Sequence, residues 1–286
     1  MLHVADVTKV YRTGFFGRGL HTAVSGVSFD VRRGEIVSLI GESGSGKTTL
    51  GRMILRLTQA TDGSISFDGD DVARLEGSAL RTYYGRVQGV FQDPFSSYNP
   101  VFKVDRVFEM VRRTYLPGLT GAEWSKRRQR ALEDVGLEPA DVLGKFPHQL
   151  SGGQLQRLLV SRALILDIEI LVADEIISML DASTRVDVLN ILGDLKERGL
   201  GVLFITHDLA LGNYISDRVV ILQRGRIVEM GPTPKVFANP VHPYTRMLLA
   251  CVPQLTSKWE ETPRTFDDAA APMTLQLVDD DHYVER

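Results

Sequence analysis

The nine residues Gly41-Glu42-Ser43-Gly44-Ser45-Gly46-Lys47-Thr48-Thr49 constrain this chain more than any other stretch. A short apolar run, Ile36-Val37-Ser38-Leu39-Ile40, precedes them and reads as a buried strand. Leu50, Met53, Ile54 and Leu57 follow at i, i+3, i+4 and i+7, the spacing of one helix face. Strand, glycine-rich loop, Lys-Thr and helix is the context that a phosphate-binding loop requires. A glycine- and serine-rich turn that merely ended in Lys-Thr would not need both flanks. The glycines let the backbone bend and turn N–H groups toward an anion, and the helix N-terminus adds partial positive charge. Lys47 is placed to reach terminal phosphates, and the Thr48 hydroxyl is a candidate Mg²⁺ ligand.

Composition narrows the class. With 43% apolar and 24% charged residues, the 286-residue chain has the profile of a soluble globular protein of one large domain with attachments. A formal net charge of −3 offers no basic field for nucleic acid. Cys251 is the single cysteine, so this chain alone builds no internal disulfide and no cysteine-held cluster. The first six residues lack the basic and apolar regions of a signal peptide. Asp167 and Glu169 interrupt the apolar run near Leu164, which is too short and too charged to span a bilayer. Any membrane association is therefore expected through a partner.

Further candidates lie along the chain. Residues 2–40 read as short strands and turns, with a loop over 14–19. Tyr11 ends one of those strands, where its ring could stack on an adenine face or simply pack at an edge. A strand over 87–91 delivers Gln92, whose amide could ligate Mg²⁺ and sense a γ-phosphate, or sit in an ordinary surface loop. From 94 to 150, prolines punctuate helical stretches such as 123–135 and no strand intervenes, which predicts a helical insertion. Its Phe95 and Tyr98 make a plausible docking loop or a local packing cluster.

Ser151 is a good N-cap for a helix bearing Leu155, Leu158 and Leu159. Gly152 and Gly153 weaken a helix start, so something must approach that backbone closely. Together with Gln154 they form a second anion-binding helix terminus, separate from the first. The strand 170–174 ends in Asp174, suited to an indirect Mg²⁺ contact, followed by Glu175, suited to a general base. Asp181 precedes another helix. His207 follows the strand 202–206 and could bond a γ-phosphate or the attacking water, although a lone histidine is often structural. Residues 218–230 read as a hairpin, 239–249 as a turn and helix, 262–272 as a linker and 273–278 as a last strand. From Ser257 onward eight acidic residues face three basic ones.

Taken together these motifs resemble the ATP-binding cassette ATPases over nearly the whole chain. Residues 41–48 resemble Walker A, Gln92 the Q-loop glutamine, and 150–154 (Leu-Ser-Gly-Gly-Gln) the family signature. Asp174 and Glu175 resemble the end of Walker B with its catalytic glutamate, 178–181 the D-loop, His207 the switch histidine, and Tyr11 the adenine-stacking aromatic. Asn239-Pro240-Val241-His242-Pro243-Tyr244-Thr245-Arg246 resembles the C-terminal extension of the oligopeptide, dipeptide and nickel permease branch, and 277–284 its closing strand. Some members of that branch hold an iron–sulfur cluster there through several cysteines. One cysteine predicts none here.

The resemblance implies an α/β P-loop NTPase core with a mostly parallel central sheet, an antiparallel β subdomain, a helical subdomain over about 94–160, and a C-terminal extension over 239–286 following a nucleotide-binding domain over 1–238. It implies ATP and Mg²⁺ as cofactors. It implies nucleotide held between the loop 41–49 of one copy and Ser151, Gly152, Gly153 and Gln154 of another, with Asp181 nearby. Glu175, His207, Lys47 and Gln92 would carry hydrolysis, with Thr48, Gln92 and Asp174 around the metal. The implied partners are a second, paralogous cassette, two transmembrane permease subunits and, indirectly, an extracytoplasmic solute-binding protein, at the cytoplasmic face of the membrane. Peptides are the expected solute, with oligosaccharides or nickel as the alternative. A soluble switch acting on nucleic acid would usually carry tandem cassettes or a long coiled coil, and neither is present. One departure stands out: Ile176-Ile177 and Met179 replace the family's usual Pro-Thr and D-loop alanine.

Overall fold

The computed structural model describes residues 1–13, 19–250, 274–279 and 281–285. In chain order β1 (Leu2–Thr13), β2 (Gly19–Val31) and β3 (Ile36–Ile40) lead into α1 (Lys47–Ile54). Then come β4 (Asp62–Phe67), β5 (Asp70–Asp71), α2 (Gly77–Arg86) and β6 (Val87–Val90). A helical run follows, with α3 (Asp105–Tyr115), α4 (Gly121–Glu133), α5 (Pro139–Val142) and α6 (Gly152–Leu164). The chain returns through β7 (Ile170–Asp174), α7 (Ala182–Glu197), β8 (Gly201–Thr206) and α8 (Leu209–Ile215). It ends in β9 (Arg218–Gln223), β10 (Arg226–Pro232), α9 (Thr233–Ala238), α10 (Pro243–Ala250), β11 (Leu275–Asp279) and β12 (His282–Glu285).

Two sheets result. One is antiparallel, in the order β2-β1-β4-β5, and the other runs β11-β12-β10-β9-β3-β8-β7-β6. In the larger sheet β9, β3, β8, β7 and β6 are mutually parallel. Every residue of β3, β7 and β8 is buried, as expected of strands covered by helices on both faces. Registers align the strand ends: Ile40 faces Thr206, Ile205 faces Asp174, and Ala173 faces Val90. The residues that follow β3, β6, β7 and β8 therefore emerge along one carboxyl edge, where parallel sheets place their ligands.

The segment between β6 and β7 is helical, as expected. Phe108, Trp124, Leu132, Leu155 and Leu158 are all buried in one cluster that continues to Leu171 and Phe204 of the sheet. The helix expected over 123–135 begins earlier, because Thr120 and Glu123 form a reciprocal capping box. Half-buried Arg162 of α6 donates to the Gly89 carbonyl at 2.9 Å, tying that helix to β6.

Several expectations are corrected. Residues 2–31 form two long strands rather than short ones, because slips in register between Val4 and Val10 let the long pair bend. Leu57 is not on the buried face of α1: the helix ends at Ile54, Arg56 turns the chain with φ 53°, and Leu57 is 61% exposed. The terminal region holds a hairpin of two strands, β11 and β12, where one strand was expected. β12 pairs with β10, so the hairpin extends the large sheet. Of the loop expected over 14–19, Gly19 instead opens β2, and residues 14–18, Cys251 and the linker over 262–272 lie outside the described residues.

Candidate nucleotide site

The loop between β3 and α1 is shaped by its contacts. Gly46 caps α1 in the left-handed region, φ 105°. A Cβ there would lie 2.4 Å from the Ala23 carbonyl of β2, so only glycine fits. The Gly225 N–H, in the turn between β9 and β10, donates to the Ser45 carbonyl at 2.9 Å, and the Ser25 N–H donates to the Gly225 carbonyl at 2.8 Å. The loop is thus braced by the large sheet and by the antiparallel sheet together. Glu42, Ser43, Gly44 and Thr48 are exposed, whereas Gly41 and Ser45 are buried. Thr49 is half-buried on the first turn of α1.

Lys47 is only 4% exposed. Its Nζ donates to the carbonyls of Gly41 at 2.7 Å and Glu42 at 2.8 Å, with the Ser45 hydroxyl at 3.5 Å. Burial lowers its pKa, opposed by the carboxylates of Glu175, Asp174 and Glu42. Asp174 lies at the end of β7, where its Oδ1 accepts from the Thr48 hydroxyl at 3.2 Å. Burial raises its pKa, opposed by that hydrogen bond and by Lys47. The sign of each shift follows from linkage. For Asp174 the cost to the fold is absent below its ordinary value of 3.8 and appears as pH rises through the raised value. For Lys47 the cost is present below its lowered value, lifts as pH rises above that value, and is gone above 10.5. Burial thus disfavours the charged form of both groups, and each is the countercharge that opposes the other's shift.

Glu175 has φ 51°, a strained conformation for a residue with a Cβ. Its N–H donates to the Ile205 carbonyl at 2.9 Å, and its own carbonyl accepts from the N–H of Ser178 at 3.1 Å and the Ser178 hydroxyl at 2.9 Å. The bend turns the side chain toward the end of β8, where Glu175 Oε1 lies 3.3 Å from His207 Nδ1. An ionised carboxylate only accepts, so the pair places the imidazole proton on Nδ1 and leaves Nε2 outward. Glu175, Ser178, Arg185, His207 and Asp208 line a small open cleft. Ile176 and Ile177 are buried in the core, 1% and 3% exposed, while Met179 is 59% exposed. Ile177 also lines the cleft beside Glu175, so the departure from Pro-Thr reaches the wall of the site as well as the core.

The structure brings Lys47, Thr48, Asp174, Glu175 and His207 to one edge. Gln92 is exposed just beyond β6 on that same edge. Tyr11 stands on β1 opposite His21, two residues before the Ala23 that touches Gly46, and Lys9 Nζ lies 5.1 Å from its ring centre. Among the described residues no hydrogen bond joins Tyr11, Gln92 or residues 151–154 to the loop 41–49. Ser151 and Gln154 form a reciprocal capping box: the hydroxyl accepts from the Gln154 N–H at 3.1 Å, and Gln154 Oε1 accepts from the Ser151 N–H at 3.0 Å. Asp181 caps α7, accepting from the Thr184 N–H at 3.0 Å, the Thr184 hydroxyl at 2.9 Å and the Ser183 hydroxyl at 2.7 Å. These donors, the Thr184 N–H first, hold its carboxyl down to about 2.

The two signature glycines have different causes. A Cβ on Gly153 would lie 2.6 Å from Thr184 Cγ2 of α7, so a neighbour within the same chain demands that glycine. A Cβ on Gly152 would meet nothing closer than a Phe95 ring carbon at 4.0 Å. Gly153→Ala is expected to cost about 1 kcal/mol, since overpacking of about 1–3 kcal/mol is partly offset by about 1 kcal/mol of helix propensity. A denaturant midpoint measures this, and adding Thr184→Ser, which removes Cγ2 and keeps the bond to Asp181, restores it.

Sequence reading missed several contributors. The left-handed Glu175, the Gly225 brace and the Thr184 contact leave no local pattern. Only the Arg224-Gly225 pair, with φ 45° and 82° between two strands, is a recognisable hairpin-turn signal.

Comparison with known proteins agrees with this geometry. Residues 24–178 match the ABC transporter family, so the chain belongs to the ATP-binding cassette transporters and is an ATP-binding ATPase subunit. Residues 228–276 match the oligopeptide/dipeptide transporter C-terminal region, which places it within that branch. A putative peptide import ATP-binding protein of Brucella ovis is 47% identical over 255 residues, 88% of this chain and 78% of the relative. The glutathione import ATP-binding protein GsiA of Salmonella typhi is 40% identical over 96% of this chain and 46% of its own length. Among solved structures, the dimeric ATP-binding cassette MJ0796 in a post-hydrolysis state with ADP and Pi has a TM-score of 0.72 at 28% identity, covering 82% of this chain and 99% of that one. No helix among the described residues is long and apolar enough to cross a membrane.

Proposed function

We propose that this chain energises the import of peptides, as one of two cassettes beneath a pair of permease subunits at the cytoplasmic face of the membrane. The names of the Brucella and Salmonella relatives and the match over 228–276 support peptides as the solute class. Residues 1–238 would be the nucleotide-binding domain, with a helical subdomain over about 94–160, and 239–286 the extension. The partner cassette is a paralogous chain, and a solute-binding protein outside the membrane delivers the cargo. The observation that carries the reading is the alignment of Lys47, Thr48, Asp174, Glu175 and His207 along one carboxyl edge of parallel strands.

The residues present fit ATP and Mg²⁺. Thr48 and Asp174 are hard oxygen donors 3.2 Å apart, the set that holds Mg²⁺ together with phosphate and water. Magnesium, when bound, neutralises charge on the phosphates. Phosphate beside Lys47 and a cation beside Asp174 each supply a countercharge to a group that burial disfavours. The exposed loop residues Ser43 and Gly44, with the first turn of α1 through Thr49, present N–H groups to the phosphates. Glu175 takes the proton of the attacking water. His207 orients that carboxylate through Nδ1 and offers Nε2 to the γ-phosphate. Gln92 reports the state of the site to the adjoining surface, and Tyr11 stacks on the adenine. Ser151, Gly152, Gly153, Gln154 and Asp181 face the nucleotide of the second copy. Phe95, Val101, Phe102 and Met110, 50%, 72%, 37% and 58% exposed, form the apolar face that meets the permease.

The assembled complex of this chain, its paralogue and the permease pair tests the reading. It should hydrolyse ATP only with Mg²⁺, and faster with a peptide-loaded binding protein. A complex that never bound nucleotide would overturn the proposal. Stimulation by an oligosaccharide or nickel instead would keep the mechanism and replace the solute.

A further inference from the structure

We propose that Tyr244 is a positioning residue for the phosphate-binding loop, and that the C-terminal extension acts through it as a buttress beneath that loop. The inference rests on the nucleotide site described above and concerns a residue 202 positions away from the loop in sequence.

The contact is made on one peptide unit. The Glu42 N–H donates to the Tyr244 hydroxyl at 3.1 Å. The carbonyl of the same unit, on Gly41, accepts from Lys47 Nζ at 2.7 Å. The plane between residues 41 and 42 is therefore clamped from both sides, by the phosphate-reaching lysine and by Tyr244. The tyrosine is itself fixed. It is 1% exposed and packs in a cluster with Ile40, the residue just before the loop, and with Leu209, Val236 and Leu248. Burial raises its phenol to about 12, so the ring presents a neutral hydroxyl throughout the physiological range.

A buried carboxylate sets the position of α10. Glu229 of β10 is fully buried. Its Oε1 accepts from the Val241 N–H at 2.9 Å, and Oε2 accepts from the His242 N–H at 3.0 Å. His242 Nδ1 then accepts from the Tyr244 N–H at 3.2 Å, and Arg246 Nε donates to the Pro240 carbonyl at 2.8 Å. From the other side His282 of β12, 3% exposed, brings Nε2 to 2.7 Å from Glu229 Oε1. A buried carboxylate with three such partners is costly to disturb. The path therefore runs from the terminal hairpin through Glu229 to the turn at 240–243, then through Tyr244 to the Glu42 amide. The loop that holds phosphate is aimed by residues that never reach the phosphate.

Tyr244→Phe keeps the ring and removes the hydroxyl. In the nucleotide-free protein, hydrogen exchange at the Glu42 amide should speed up by about two- to tenfold, the range of one neutral hydrogen bond. In the assembled complex the KM for ATP should rise by about the same factor while kcat at saturation stays within about twofold. His282→Ala should speed exchange at residues 241, 242 and 42 together. Leu248→Ala, which thins the same cluster without touching a hydrogen bond, should lower the melting temperature and leave the ratio of Glu42 exchange to global exchange unchanged. Unaltered Glu42 exchange and KM in Tyr244→Phe would overturn the buttress. Wild-type protein that bound no nucleotide would overturn the ATP reading instead, and the exchange measurement would still decide the role of Tyr244.

Discussion

Glu175→Gln is expected to lower ATP turnover of the assembled complex by about a hundredfold to ten-thousandfold, the contribution of a positioned general base, with ATP affinity within about twofold of wild type. The substitution is nearly isosteric. Its amide oxygen still accepts from His207 Nδ1, now 3.3 Å from the carboxylate, and the strained bend at residue 175 keeps its bonds to Ile205 and Ser178. Binding groups on the loop 41–49 are untouched. What is lost is the ability to take a proton from water. The variant should therefore accumulate with ATP bound, read as nucleotide retained after gel filtration, while phosphate release nearly stops. Undiminished steady-state hydrolysis would remove Glu175 from the base role and shift attention to His207.

Lys47→Ala should weaken ATP binding by about tenfold to a hundredfold, because charge-assisted hydrogen bonds are each worth about 1.5–3 kcal/mol. Lys47 is buried among backbone acceptors, so its ammonium is already desolvated and aimed along the loop. Phosphate oxygens exchange for the carbonyls of Gly41 and Glu42 at little further desolvation cost. Isothermal titration with MgATP measures the loss, and a melting curve confirms that the fold survives. Equal affinity in the variant would contradict the phosphate-cradle reading of residues 41–49. Comparing Lys47→Ala with Tyr244→Phe separates a group that touches phosphate from one that only aims the peptide beside it.

Those residues were legible because the physics behind them is local. A wholly apolar pentad before a glycine-rich loop can be little other than a central strand, and β3 is buried at every position. The same logic located Asp174 at the end of β7, Glu175 directly after it and His207 after β8. Ser151 was readable as a cap, and it does cap α6. What escaped depends on partners distant in sequence. Gly153 calls for a close neighbour, but the residue type does not say that the neighbour is Thr184 of its own chain. Leu57 matched a helical period, but the period carries no information about where Arg56 turns the chain. The terminal hairpin pairs with β10 across some fifty residues, and nothing between announces the pairing.

The contact between Gly153 and Thr184 also has a mechanical consequence. With no Cβ at Gly153, the start of α6 rests on the Thr184 methyl at the start of α7, so a shift of one presses on the other. Swinging the signature toward a facing cassette would therefore drag along the bend that holds Ser178 and Asp181. Such a coupling resembles a clutch more than a sensor: engagement on one side of the assembly obliges the opposite hydrolytic pocket to register it in the same stroke.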